Sequence, residues 1–171
     1  EGKYELIVFD NHPVDINAKE WESLIRVFAK KLILHQSSFT IIAGPELLPR
    51  TIAGYLHLMD LELKEPVLAS GIQTEWHVTE EWMNLFPFQG TGWSSDENFS
   101  LPPLVSGIET TTSGQYILAK YTVSSLNVPL LIAGEKQSMR YCFWSSPDMF
   151  SLHYKLQGST HSNLLKDMWN K

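Results

Sequence analysis

"YELIVFDNHPVDINAKEWESLIRVFAKKLILHQSSFTIIAG", Tyr4 to Gly44, decides the fold, because its hydrophobic period changes twice within one stretch. Tyr4 to Phe9 is a short and nearly continuous apolar run, the pattern of a strand covered on both faces. After Pro13, the residues Trp21, Leu24, Ile25, Phe28, Ala29 and Leu32 recur at i, i+3, i+4, i+7, i+8 and i+11, a single stripe at helical spacing. Asn17 is placed to cap that helix, with Glu20 three residues on to complete an asparagine version of the capping box. Ser38 to Gly44 then returns to the pattern of a buried strand and stops at a glycine. Pro49 suits the first turn of a second helix running to about Met59, and Gly54 inside it costs about 1 kcal/mol relative to alanine unless it permits close packing. Strand, helix, strand, helix implies a parallel unit with helices packed on a sheet, and "PVLAS" (Pro66 to Ser70) is a candidate third strand.

The last third changes character. Tyr116 to Ser124, Val128 to Ala133 and Met139 to Trp144 are β-rich runs. Phe150, Leu152, Tyr154 and Leu156 alternate with polar residues, as in an antiparallel strand with one wet face. "GEKQ" (Gly134 to Gln137) and "SSPD" (Ser145 to Asp148) supply turns between these runs. An amphipathic helix over Ser162 to Asn170 closes the chain on Leu164, Leu165, Met168 and Trp169. The expectation is a mixed α/β fold: a parallel-type β-α-β-α N-terminal half, then an antiparallel β-meander and a C-terminal helix.

A chain of 171 residues that is 43 % hydrophobic and 19 % charged is expected to form a single domain with a sizeable core, without needing disulfide or metal staples. It starts at Glu1-Gly2-Lys3, which suggests a piece of a longer protein. The formal charge is −6 with Lys and Arg scattered, so no basic stripe follows a phosphate backbone, and nucleic acid is not expected as the main ligand. No apolar run approaches membrane-spanning length. The single cysteine, Cys142, excludes an internal disulfide and a multi-cysteine zinc site, and it fits a reducing compartment. The sequon Asn98-Phe99-Ser100 matters only in a secreted protein.

No Gly-x-Ser-x-Gly elbow, phosphate-binding P-loop or dinucleotide fingerprint is present, and "GTG" at Gly90 to Gly92 follows no strand. The six histidines never pair at i, i+4. Cys142, set in "MRYCFW", reads as a small strand residue rather than a nucleophile. Asp10, His12 and Asp15 follow the first strand directly, the edge where open α/β sheets bind ligands, and could hold a metal if Glu46 or Glu75 converged on them. Turn chemistry and helix capping explain the same residues.

In "TEWHVTEEWMNLFPFQGTGW" (Thr74 to Trp93), Thr79 is a fair N-cap, and Trp82, Leu85 and Phe86 on one helix side read as core. From Phe88 to Ser113 the chain is rich in Gly, Ser, Thr and Pro with almost no period, a long loop or insertion of a length that is commonly functional. Its apolar residues either tether the loop or meet a partner. The candidate partner-binding residues are Trp93, Phe99, Leu101, Leu104 and, from the last helix, Trp169.

The function these patterns favour is a non-catalytic protein–protein interaction or scaffold domain of a larger intracellular multi-subunit assembly, cytoplasmic or nuclear. Its partner is another protein in a hetero-complex, with no cofactor and no membrane. The alternative is a small α/β metal-dependent enzyme acting on a phosphate-containing or polar metabolite at the Asp10 edge.

Overall fold

The computed structural model describes residues 4–12, 18–47, 49–64, 72–85, 101–123, 125–157 and 162. The opening stretch folds as strand β1 (Leu6–Asp10), helix α1 (Ala18–His35) and strand β2 (Ser38–Ile42), followed by helix α2 (Pro49–Leu56), which runs into a 3₁₀ turn at His57–Met59. Three short strands follow, β3 (Glu62–Leu63), β4 (Gln73–Thr74) and β5 (Trp76–Val78), then helix α3 (Glu80–Leu85) and two more, β6 (Leu104–Val105) and β7 (Thr110–Thr111). The remainder is β8 (Tyr116–Val123), β9 (Leu126–Lys136), β10 (Met139–Trp144) and helix α4 (Met149–Leu156).

Six strands form one mixed sheet in the order β1-β2-β10-β9-β8-β5. β1, β2 and β10 are parallel; β9, β8 and β5 continue antiparallel. Two ribbons, β3–β7 and β4–β6, lie outside it. The architecture is therefore mixed α/β.

Side chains of β10 alternate across the sheet. Met139, Tyr141 and Phe143 enter a core with Ile25, Leu32, Ile52 and Tyr55 of the first two helices, while Trp144 enters a second core with Trp76, Trp82, Leu104, Leu152 and Leu156. Each fully buried large aliphatic side chain in these cores contributes roughly 1.5–3 kcal/mol. The first core depends on a close helix approach: a Cβ at Gly54 of α2 would stand 2.7 Å from Ile25 Cγ2 of α1. That contact is why a glycine sits in mid-helix.

Between β8 and β9 the register shifts around Ala119, which leaves Leu118 and Ala119 both buried and lets Pro129 sit within a central strand opposite Lys120. Thr79 caps α3, accepting a hydrogen bond from the Trp82 backbone N–H at 3.3 Å. Gly107 lets the backbone cross the end of β10: its Cβ would lie 1.8 Å from the Ser145 carbonyl oxygen, and Ile108 N–H donates to that same oxygen at 3.0 Å.

Three expectations are corrected. Phe150 to Gln157 is not a strand but α4, because Met149, Leu152 and Leu156 recur at i, i+3 and i+7 on its buried side and leave Phe150 and Tyr154 exposed. β1 is not covered on both faces; it is an edge strand with Leu6 and Val8 open. The turn after β9 is Gln137–Ser138, both at positive φ (51° and 67°), since β9 extends through Lys136. Asn17, Pro66–Ser70, Phe86, residues 163–171 and the side chains of Trp21 and Leu85 lie outside what is described.

Candidate functional site

Because β1, β2 and β10 are parallel, their C-terminal ends share one side of the sheet, and Asp10, Asn11 and His12 emerge there. Asn11 adopts φ 46° and stitches the strand ends together. Its N–H donates to the Ile42 carbonyl at 2.9 Å, and its Oδ1 accepts from the Glu46 N–H at 3.2 Å. His12 is packed among rings, with centroids 5.8 Å from Phe9 and 6.5 Å from both Phe28 and Tyr55, and burial lowers its pKa. Asp10 is exposed, Glu46 is exposed and held through its backbone, and Asp15 lies outside the described residues. The Glu75 backbone carbonyl accepts from the Thr122 N–H beside β5, at the opposite edge of the sheet. Among the described residues no group of three or more His, Cys, Asp or Glu could hold a metal ion.

Cys142 packs against the second core from β10, and burial pushes its thiol up to about 12. At neutral pH that burial favours the thiol over the thiolate form that attacks electrophiles.

The segment after residue 100 is tied down rather than offered. Leu101 is 6 % exposed and Leu104 0 %, both in the second core, so these two tether the segment to the body. Trp76 Nε1 donates to the Pro102 carbonyl at 2.9 Å, Ser146 Oγ to the Val105 carbonyl at 2.7 Å, and Lys155 Nζ to the Pro103 carbonyl at 2.8 Å. Asp148 gathers the rest, accepting from Val105 N–H at 3.3 Å, from Lys155 Nζ at 2.9 Å and from Ser151 Oγ. Desolvation works to raise the Asp148 pKa, but the bonds from Ser151, Lys155 and Val105 and the Lys155 charge outweigh it, so the carboxyl titrates below its ordinary range. Trp93, Phe99 and Trp169 lie outside the described residues.

The open apolar surface lies elsewhere, at the β1 edge. Tyr4, Leu6 (53 % exposed) and Val8 (51 %) stand out from it. On α1, Ile25 meets Gly54 of α2 and Phe28 meets Phe9 of β1 at 6.4 Å. Continuing round the helix in the same direction brings Leu24, Val27 and Leu34, so this flank faces away from α2. All three are exposed, Leu34 by 77 %. The sequence carried a signal for this surface: Val27 and Leu34 are apolar at i, i+7, off the inner stripe.

A second feature is a cleft of about 330 Å³ where the β3–β7 ribbon meets β8 and β9. Lys64, Glu109, Thr110, Lys120 and Asn127 line it. The buried Glu109 carboxylate pairs with Lys64 at 3.2 Å. Burial raises the pKa of nearby Tyr121, and the Glu109 charge adds to that rise against hydrogen bonds from Gly107 and Ser145.

No family model matches the chain, and no curated protein does either. Among solved structures, the chain is similar over 98 % of its length to 24 % of the chain of Agd3, a carbohydrate deacetylase, with TM-score 0.53 and 13 % identity. It also aligns over 87 % of its length with 22 % of a β-galactosidase chain from Rahnella sp. R3, with TM-score 0.44 and 11 % identity. The chain thus spans about a quarter of the deacetylase chain it resembles, and the likeness is one of fold. No described helix is long and apolar enough to cross a membrane.

Proposed function

We propose that this chain is a non-catalytic interaction domain of a larger protein or assembly, docking another protein on the β1 edge and the open flank of α1. The observation that carries this reading is the open edge itself. Leu6 and Val8 are more than half exposed on an edge strand whose outer side pairs with no other strand among the described residues, and Leu24, Val27 and Leu34 leave a second apolar surface open on α1. Natural proteins normally blunt such an edge with charge, proline or a bulge, and extended partners bind by adding a strand to it. The fold's likeness to a quarter of a much longer chain supports a module within a larger protein. Trp93, Phe99 and Trp169 belong to the reading as further candidate anchors. An intracellular setting is part of it, on the lone cysteine.

The test is site-specific photo-crosslinking from position 8, with position 122 on β8 as an exposed control, followed by mass spectrometry of the adducts. The reading expects one dominant protein adduct at position 8 that disappears in Leu34→Glu. Equal, unselective labelling at both positions would sink it.

A further inference from the structure

The cleft beneath the β3–β7 ribbon is independent of the β1 edge and carries its own chemistry. Two ammonium groups, Lys64 and Lys120, and one carboxylate, Glu109, line it, which leaves it one positive charge in a chain of net charge −6. The Glu109 side chain is only 6 % exposed and is matched by Lys64 at 3.2 Å. That pairing occupies one of the three donors of the Lys64 ammonium and leaves the others for a ligand. Among the described residues, Lys120 has no ion-pair partner. Thr110, Thr111 and Thr112 also line it, and the buried Thr110 Oγ1 makes no hydrogen bond among the described residues. Asn127 adds an amide, and Ile117, Val128 and Pro129 form an apolar wall that strengthens charge interactions beside it.

Lysine ammonium groups beside hydroxyl donors and a low-dielectric wall are matched by an oxyanion, since charge-assisted hydrogen bonds are the strong ones. A volume of about 330 Å³ stands at the lower end for small-molecule sites. We infer that the cleft binds a small hydroxylated oxyanion, a carboxylate or phosphate head held by Lys120 and Thr110 with the Lys64–Glu109 pair as its fixed base. Among the described residues Glu109 pairs with Lys64 and not with Lys120, and the pair holds the Lys64 ammonium, on a side chain 52 % exposed, beside the buried carboxylate.

The experiment is an amide-resolved NMR titration of the whole chain with glucuronate, inorganic phosphate and neutral glucose, repeated for Lys120→Gln and Thr110→Val. The expected result is a saturable shift of Thr110 to Thr112 and Lys120 with at least one anion. That shift should weaken about tenfold or more in Lys120→Gln, from loss of one charge-assisted bond, and should fall with added salt. Saturation by glucuronate but not phosphate assigns a carboxylate head, and the reverse assigns a phosphate. The inference is overturned by failure of both anions to saturate, by glucose binding as tightly as glucuronate, or by an unchanged titration in Lys120→Gln. Lys120 is partly exposed, so that variant keeps the fold, which its unshifted amides elsewhere will verify.

Discussion

The two edges of the sheet are finished in opposite ways. At the β5 edge, Trp76 is 4 % exposed, packs edge-on to Trp144 at 6.1 Å and hands its indole N–H to the Pro102 carbonyl, so the 101–105 segment seals the sheet. At the β1 edge, residues just as apolar are left open, and only one face of the strand is used, with Phe9 4.8 Å from Tyr55. Equal hydrophobicity therefore does not mean equal burial. What differs is whether a later stretch of chain returns to cover the edge.

Substitutions can break that contrast. The largest expected effect is Trp76→Ala, which should cost about 3–5 kcal/mol in urea unfolding, the usual range for a large aromatic removed from a core; a loss below 1 kcal/mol would mean the edge is not sealed by this ring. On the α1 side, Gly54→Ala should destabilise by about 1–3 kcal/mol through overpacking against Ile25. An open helix would instead gain about 1 kcal/mol from the same change. Ile25→Ala, made in both backgrounds, should cost less in the Gly54→Ala chain, and additive losses would refute the contact.

Asp148→Asn should cost about 1–2 kcal/mol at neutral pH by weakening the bonds to Val105, Ser151 and Lys155. Its folded pKa lies below the reference value of 3.8, so this stabilisation is complete above about pH 4 to 5 and fades as pH falls through the folded value. The variant's unfolding profile should accordingly be flatter than wild type in acid, and parallel profiles would contradict the assignment. Smallest is Leu6→Lys, expected to shift stability by less than about 1 kcal/mol while abolishing adduct formation from position 8. A large stability loss there would reclassify Leu6 as core.

Much of the parallel half was legible, because the period changes from strand to helix and back between Tyr4 and Gly44 report local geometry. α4 misled because Phe150, Leu152, Tyr154 and Leu156 satisfy alternation, while Met149, Leu152 and Leu156 satisfy a helical period at the same positions; packing on Trp144 and Leu104 decides between them. Leu101 and Leu104 carry no period at all. They are buried because Trp76, Ser146, Asp148 and Lys155, all distant in sequence, hold their backbone neighbours. The cleft was invisible for the same reason, since Lys64, Glu109 and Lys120 meet only through strand pairing.

The placement of β10 between β2 and β9 has a further consequence, for the order of assembly. β9 and β10 are joined by a two-residue turn and can pair as soon as both exist, whereas β2 waits about a hundred residues for the strand that will flank it. Loop closure of that length slows folding, so the β8-β9-β10 meander should form first and serve as the template on which the β1-α1-β2 unit docks. Until then β2 is itself a bare apolar edge, and that interval is when this chain is most exposed to pairing with the wrong strand.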